Sequence, residues 1–240
     1  MNNANKISQN NKMSYTFEQY KDYAIKLFSS DFDKALAPKL YHNGFDDETK
    51  LIWPELRILN KNGIVTTNSQ PGFIEHNESL KGGSVHKINE YGKGSYEQRF
   101  WIEAIMENND TNNKFINNAI HCGFIVVKGS DWYASDDYKK ELVMKNDDGV
   151  DMINITRLCG DKFWGWETNI PLKEFNHYAI EDLNEDSKNR VMLVNFIWPE
   201  YGDHGAEKIL IRCLPILSTL FDNDISALIM AAMVITNIVV

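Results

Sequence analysis

The chain of 240 residues is expected to fold as α/β or α+β, with a mixed sheet containing one βαβ unit, an antiparallel hairpin region, and covering helices. Three observations predict this. Residues 96–106 alternate: Tyr96, Gln98, Phe100, Ile102, Ala104 and Met106 fall on one face, and Glu97, Arg99, Trp101, Glu103 and Ile105 on the other, the period of a strand with one polar-biased face. Asn108-Asn109-Asp110 then turns the chain. Asp110 can cap a helix that runs through Cys122, Gly123 can stop it, and the apolar residues 124–127 follow as a short buried strand. Strand, helix and strand in that compass predict parallel strands joined by a right-handed crossover. Third, Asn146-Asp147-Asp148-Gly149 separates residues 140–145 from 150–157, a hairpin signal.

The other elements follow in order. Residues 1–13 are Asn-rich, polar and aperiodic, and are read as a disordered tail ahead of a single globular domain over 14–240. Thr16 and Gln19 form a capping-box pattern for a helix over 16–28, with Phe17, Tyr20, Ala24, Leu27 and Phe28 on one face. Leu51, Ile52, Leu56 and Leu59 recur at helical spacing, with Thr49 or Asp47 to cap, Pro54 in the first turn and Asn62-Gly63 as a left-handed stop. Ile64, Val65, Thr66 and Thr67 are β-branched and extended, and Asn68-Ser69-Gln70-Pro71-Gly72 ends them in a turn. The glycine-bearing stretch that follows, to Gly94, is long enough for a lid over that turn. Residues 162–168, with Trp164 and Trp166 in period two, add a third antiparallel strand. Residues 191–197 are the most hydrophobic strand and are placed centrally, running into a turn at Trp198-Pro199-Glu200-Tyr201-Gly202. Residues 206–220 are helical in pattern with a break at Pro215. Residues 225–240 contain only Ser226, Thr236 and Asn237 as polar side chains. A span needs ~20 residues, so a buried element is preferred there to a tail anchor or an interface.

Net charge is −9 and the isoelectric point near 5.2, which argues against nucleic acid or acidic lipid as a partner, since both need a basic surface. The three cysteines Cys122, Cys159 and Cys213 are widely spaced and fit reduced thiols of a cytoplasmic protein. No CxxC, HExxH or EF-hand loop occurs, so no metal is expected, and no motif names a cofactor.

The segment Gly63-Ile64-Val65-Thr66-Thr67-Asn68-Ser69-Gln70-Pro71-Gly72, with Gln98-Arg99 downstream, resembles an uncharacterised family of bacterial, phage and large-virus proteins. Its members carry a glycine, an apolar pair, a threonine, Ser-Gln-Pro-Gly, and later a Gln-Arg pair. The likeness covers about residues 49–128 and implies a shared site without naming an activity.

The candidate ligand site joins Thr67, Ser69 and Gln70 with Gln98 and Arg99, which converge if the two strands pair antiparallel. A guanidinium suits phosphate or carboxylate through two parallel charge-assisted bonds, and the amides and hydroxyls suit a base, sugar or amide edge. The plainer account pairs Arg99 with Glu97 or Glu103. Glu200 and His204 are the best acid–base pair on offer, though residues of that kind are usually solvated. In His121-Cys122 the thiol is expected to be a core residue rather than half of a catalytic dyad, because helix neighbours point ~100° apart. Two functional classes stay open: an enzyme or sensor acting on a small anionic, nucleotide-like ligand at the Ser-Gln-Pro-Gly turn, and a non-enzymatic module, viral or host-facing, using the acidic surface or the apolar C-terminal segment. Neither substrate nor oligomeric state is legible.

Overall fold

Fourteen residues of strand alternation give the longest element among the described residues, β3 (Gly94–Glu107), and the other strands are arranged around it. The computed structural model describes residues 14–28, 47–76, 94–128, 131–134, 143–145, 147–160, 164–171, 178–202 and 208–209. The expected tail, residues 77–93 of the stretch expected as a lid, the 225–240 segment and nearly all of the 206–220 helix lie outside the described residues, while 73–76 and Gly94 at the ends of that stretch are strand.

Helix α1 (Phe17–Leu27) opens with the expected capping box: Thr16 Oγ1 accepts from Gln19 N, and Gln19 Oε1 from Thr16 N. The next helix starts differently from its sequence reading. Asp47 and Thr49 belong to a separate turn, α2 (Asp47–Lys50), and α3 (Trp53–Lys61) has Ile52 at its N-cap with no side-chain bond. Leu51 falls in the joint between them and is exposed, whereas Ile52, Leu56 and Leu59 are buried as expected. Gly63, at φ 78°, supplies the left-handed stop.

The strands β1 (Val65–Gln70) and β2 (Phe73–His76) both lie antiparallel to β3. Gln70 lies opposite Trp101 and Phe73 opposite Gln98, so the two strands follow each other along β3 with only Pro71-Gly72 between them. Residues 68–70 of the expected turn are therefore strand, and the break is confined to Pro71-Gly72. Their polar side chains find partners on β3, as described below, and so need no solvent.

Helix α4 (Asp110–His121) is capped by Asn109, whose Oδ1 accepts from Asn112 N, rather than by Asp110. It leads to β4 (Ile125–Lys128) and the short β5 (Asp131–Tyr133). Then come β6 (Val143–Lys145) and β7 (Asp151–Gly160), the hairpin read from the sequence, with Lys145 opposite Asp151 and Gly149 at φ 76°. The third antiparallel strand is β8 (Trp164–Pro171), paired with β7. Two short helices, α5 (Tyr178–Glu181) and α6 (Glu185–Arg190), precede β9 (Val191–Tyr201).

The α+β class holds. The sheet runs β5-β4-β9-β3-β7-β6, with β1 and β2 also on β3 and β8 on β7. Every pairing among these strands is antiparallel, so it is not a mixed sheet. The βαβ unit is present but split. β3 and β4 run parallel because both are antiparallel to β9, which lies between them. Residues 192–199 of β9 are all buried, and a strand that apolar gains most from a place with neighbours on both edges. β9 also runs past Ile197 into the expected turn. Between its pairs Ile197–Trp101 and Tyr201–Arg99 it carries two more residues than β3, a bulge that contains Pro199. Proline has no N–H to give the ladder and fits there.

Residues of α1, α3 and α4 pack with Phe100, Ile102, Ala104, Met106, Val194 and Phe196 into the main core. A second, smaller core joins Ile125, Val127, Ile153, Ile155 and Ile197, with Trp101 and Trp132 against it. The register places Trp101 beside Ile197, so this cluster belongs to the face of β3 that carries Arg99 and Glu103.

Candidate functional site

The motif segment is fastened from both sides. Asn60, fully buried at the end of α3, accepts the Thr66 N–H at 3.1 Å and donates to Thr66 Oγ1 and to Leu56 O, each at 2.7 Å. The register slips between Thr66 and Asn68, which makes Thr67 the extra residue of a bulge. Its hydroxyl donates to Glu103 Oε1 at 2.8 Å, and Glu103 itself is buried. Gln70 Nε2 donates to Gln98 Oε1, which also accepts from Tyr96 Oη at 3.1 Å. Gln98 Nε2 donates to Pro71 O at 2.7 Å. Gly72 then passes so close to the end of β9 that a Cβ would collide with the carbonyl oxygen of Gly202 and stand 3.0 Å from Phe100 N. The Ser-Gln-Pro-Gly stretch, the Gln-Arg pair and the chain beyond β9 therefore cross at one point. Gly202 N donates to Gln98 O at 2.9 Å there.

Successive strand residues point to opposite faces, and Gln98 and Arg99 part company accordingly. Arg99 is only 5% exposed. Its Nε donates to Asn154 O at 2.8 Å, its Cζ lies 3.8 Å from the Tyr201 ring centre, and its Nη1 is buried without a hydrogen-bond partner. Arg157 places its Cζ 3.9 Å from the same ring. It also pairs with Glu97, Nε donating to Oε2 at 2.6 Å, while Ser95 Oγ donates to Glu97 Oε1 at 2.8 Å. The Tyr201 hydroxyl donates to Asn154 Oδ1. Burial holds the Arg99 pKa below its ordinary value; Tyr201 and Glu97 oppose that, and Arg157 adds to it. Cys159, opposite Ser95, has its thiol pushed up by burial and by the Glu97 carboxylate. Two guanidinium groups thus share one aromatic ring, and the Glu97 carboxylate beside them is paired with Arg157, which leaves the cluster with a cationic surplus.

Of the expected site residues, Gln70 and Gln98 meet directly, Thr67 meets Glu103, and Ser69 is buried in β1. Arg99 is on the face opposite Gln98, where it bonds to Asn154 O and lies against the Tyr201 ring. Glu200 is exposed near the end of β9, and His204 lies outside the described residues. Cys122 packs against the main core, and His121 is exposed, with Nδ1 at 2.6 Å from Asn117 O. Among the described residues no group of acidic, His or Cys side chains could hold a metal ion. Sequence reasoning missed Arg157, Tyr201 and Asn154 as companions of Arg99. Tyr201 sits in a segment that the sequence singled out as a turn, and Arg157 ends the hairpin strand. Only the strand register brings them together.

A family model described as a domain of unknown function (DUF6919) matches residues 30–128. No curated protein matches the chain. The matched range holds the Gly63-to-Gly72 motif and the Gln98-Arg99 pair, but ends before Arg157 and Tyr201. Among the described residues no helix is long and apolar enough to cross a membrane.

Proposed function

We propose that this protein binds a small anionic ligand, a phosphate- or carboxylate-bearing metabolite, at the Arg99–Arg157 pair. One observation carries the reading: a buried guanidinium with an unpartnered Nη1, beside a second guanidinium, in a chain of net charge −9. Buried donors are almost always satisfied, and a charged one costs more to leave unmet. An anion supplies the missing acceptor and offsets the local cationic surplus. Arg157, whose side chain is 31% exposed, is the approach side. Thr67, Ser69, Gln70 and Gln98 serve in this reading by fixing the strand and the Gly72–Gly202 crossing behind Arg99. On this reading the motif and the Gln-Arg pair are the shared site of a family spread through bacteria, phages and large viruses, and the protein works in the cytoplasm.

Thermal unfolding in the presence of inorganic phosphate, a sugar phosphate and a dicarboxylate, at constant ionic strength, tests the reading. At ~100 times Kd a ligand of the native state adds about 2.7 kcal/mol, which shifts the midpoint by several degrees. Arg157→Gln should abolish the shift. No saturable shift with any anion, or a full shift in Arg157→Gln, overturns the proposal.

A further inference from the structure

The face of β3 that carries Arg99 continues through Trp101 to Glu103, and the register sets Tyr201, Ile197 and Asn195 of β9 beside these three in the same order. Trp101 Nε1 donates to Asn195 Oδ1 at 2.7 Å. An indole N–H can only donate, so this bond fixes the amide's orientation and leaves Nδ2 directed elsewhere. Asn195 is 1% exposed, and its Nδ2 is buried without a hydrogen-bond partner. Directly across from it, the buried Glu103 carboxylate accepts the Thr67 hydroxyl through Oε1.

Two unpartnered buried donors therefore stand at the two ends of one row. Arg99 and Glu103 are four strand positions apart, on the order of 13 Å. The Arg99 end is cationic. The Asn195 end offers a neutral donor next to a carboxylate acceptor. An indole lies between them, and Trp101, Tyr201 and Arg157 are partly exposed. A donor beside an acceptor complements an edge on which a ring oxygen or nitrogen adjoins an N–H, which is the hydrogen-bonding edge of a nucleobase. A flat ring suits the indole face, and stacking of a base on an aromatic side chain is worth ~1–3 kcal/mol.

We infer that Trp101, Glu103 and Asn195 form a base subsite, so that the ligand class is a nucleoside 5′-phosphate with its phosphate at Arg99 and Arg157. This rests on the anion-binding reading above and adds a second recognition element to it.

Calorimetric titration of the full chain with GMP, UMP, AMP and CMP, and with ribose 5-phosphate and inorganic phosphate, tests the inference. At least one nucleotide should bind about tenfold or more tighter than ribose 5-phosphate, the worth of one buried hydrogen bond. Asn195→Leu should bring that nucleotide down to the ribose 5-phosphate level and leave ribose 5-phosphate itself unchanged. Asn195→Asp keeps the acceptor for Trp101 and replaces the free donor by an oxygen beside Glu103, and should cost the nucleotide at least as much. If ribose 5-phosphate binds as tightly as every nucleotide, or Asn195→Leu keeps the full preference, the base subsite is wrong while the anion reading stands. If only carboxylates bind, the nucleotide class falls. If no anion binds at all, both fall. Should neither variant fold, the comparison of ligands on the wild-type chain decides alone.

Discussion

On one face of β3, Phe100, Ile102, Ala104 and Met106 meet the helices and need only shape complementarity; on the other, Arg99, Trp101 and Glu103 meet Tyr201, Asn195 and Thr67 and need a partner for each polar atom. The first face gains free energy in proportion to the apolar area it hides, roughly 25 cal/mol per Å2. The second takes a guanidinium and a carboxylate out of water, and its hydrogen bonds return about what desolvation costs. Stability is therefore expected to reside in the first face and recognition in the second. Substitutions on the two faces should differ in sign as well as size.

Phe100→Ala should break the comparison hardest. The ring is 1% exposed and packs edge-on to Phe124, so its loss should cost ~3–5 kcal/mol, read as a lower urea midpoint. Gly72→Ala comes next. Its Cβ meets backbone on two strands rather than a side chain that can move, so the crossing must open, at about 1–3 kcal/mol by thermal melting. Arg99→Met sharpens the contrast, since it keeps the stem and removes the buried charge. Stability should stay within about 1 kcal/mol of wild type, or rise, while anion binding is lost. A fall of more than about 2 kcal/mol would make Arg99 a structural residue. Lys145→Ala should do least. Its bridge to Asp151 has a lysine 69% exposed, and its removal should change stability by less than about 0.5 kcal/mol in double-mutant analysis.

Local rules made part of this legible from the residues alone. The Thr16–Gln19 box, the hairpin at Gly149, and the central place of β9 all follow from signals within a few residues of where they act. What escaped was decided at long range. Residues 68–70 look like a turn because they are polar, yet Gln70 is matched by Gln98, 28 positions away, and the strand continues. The strand alternation sets Arg99 on the face opposite Gln98. Its ring partner is Tyr201, and no periodicity along β3 states which strand will lie against it. Thr49 and Asp47 were sound capping residues in type, but the chain uses them in a turn of their own.

The split βαβ unit has a consequence for how the chain is made. During synthesis β3, α4 and β4 leave the ribosome before β9, the strand that lies between the two parallel strands in the finished sheet. The edges that β9 will pair then carry rows of unmatched N–H and C=O groups, a state open to wrong pairing. That strand is more than sixty residues downstream, at 191–201, and it carries Asn195 and Tyr201. Its insertion closes the sheet and delivers half of the recognition row in the same event. A nascent chain that has not yet reached β9 thus has neither a finished sheet nor a competent site, which ties ligand capture to the completion of folding.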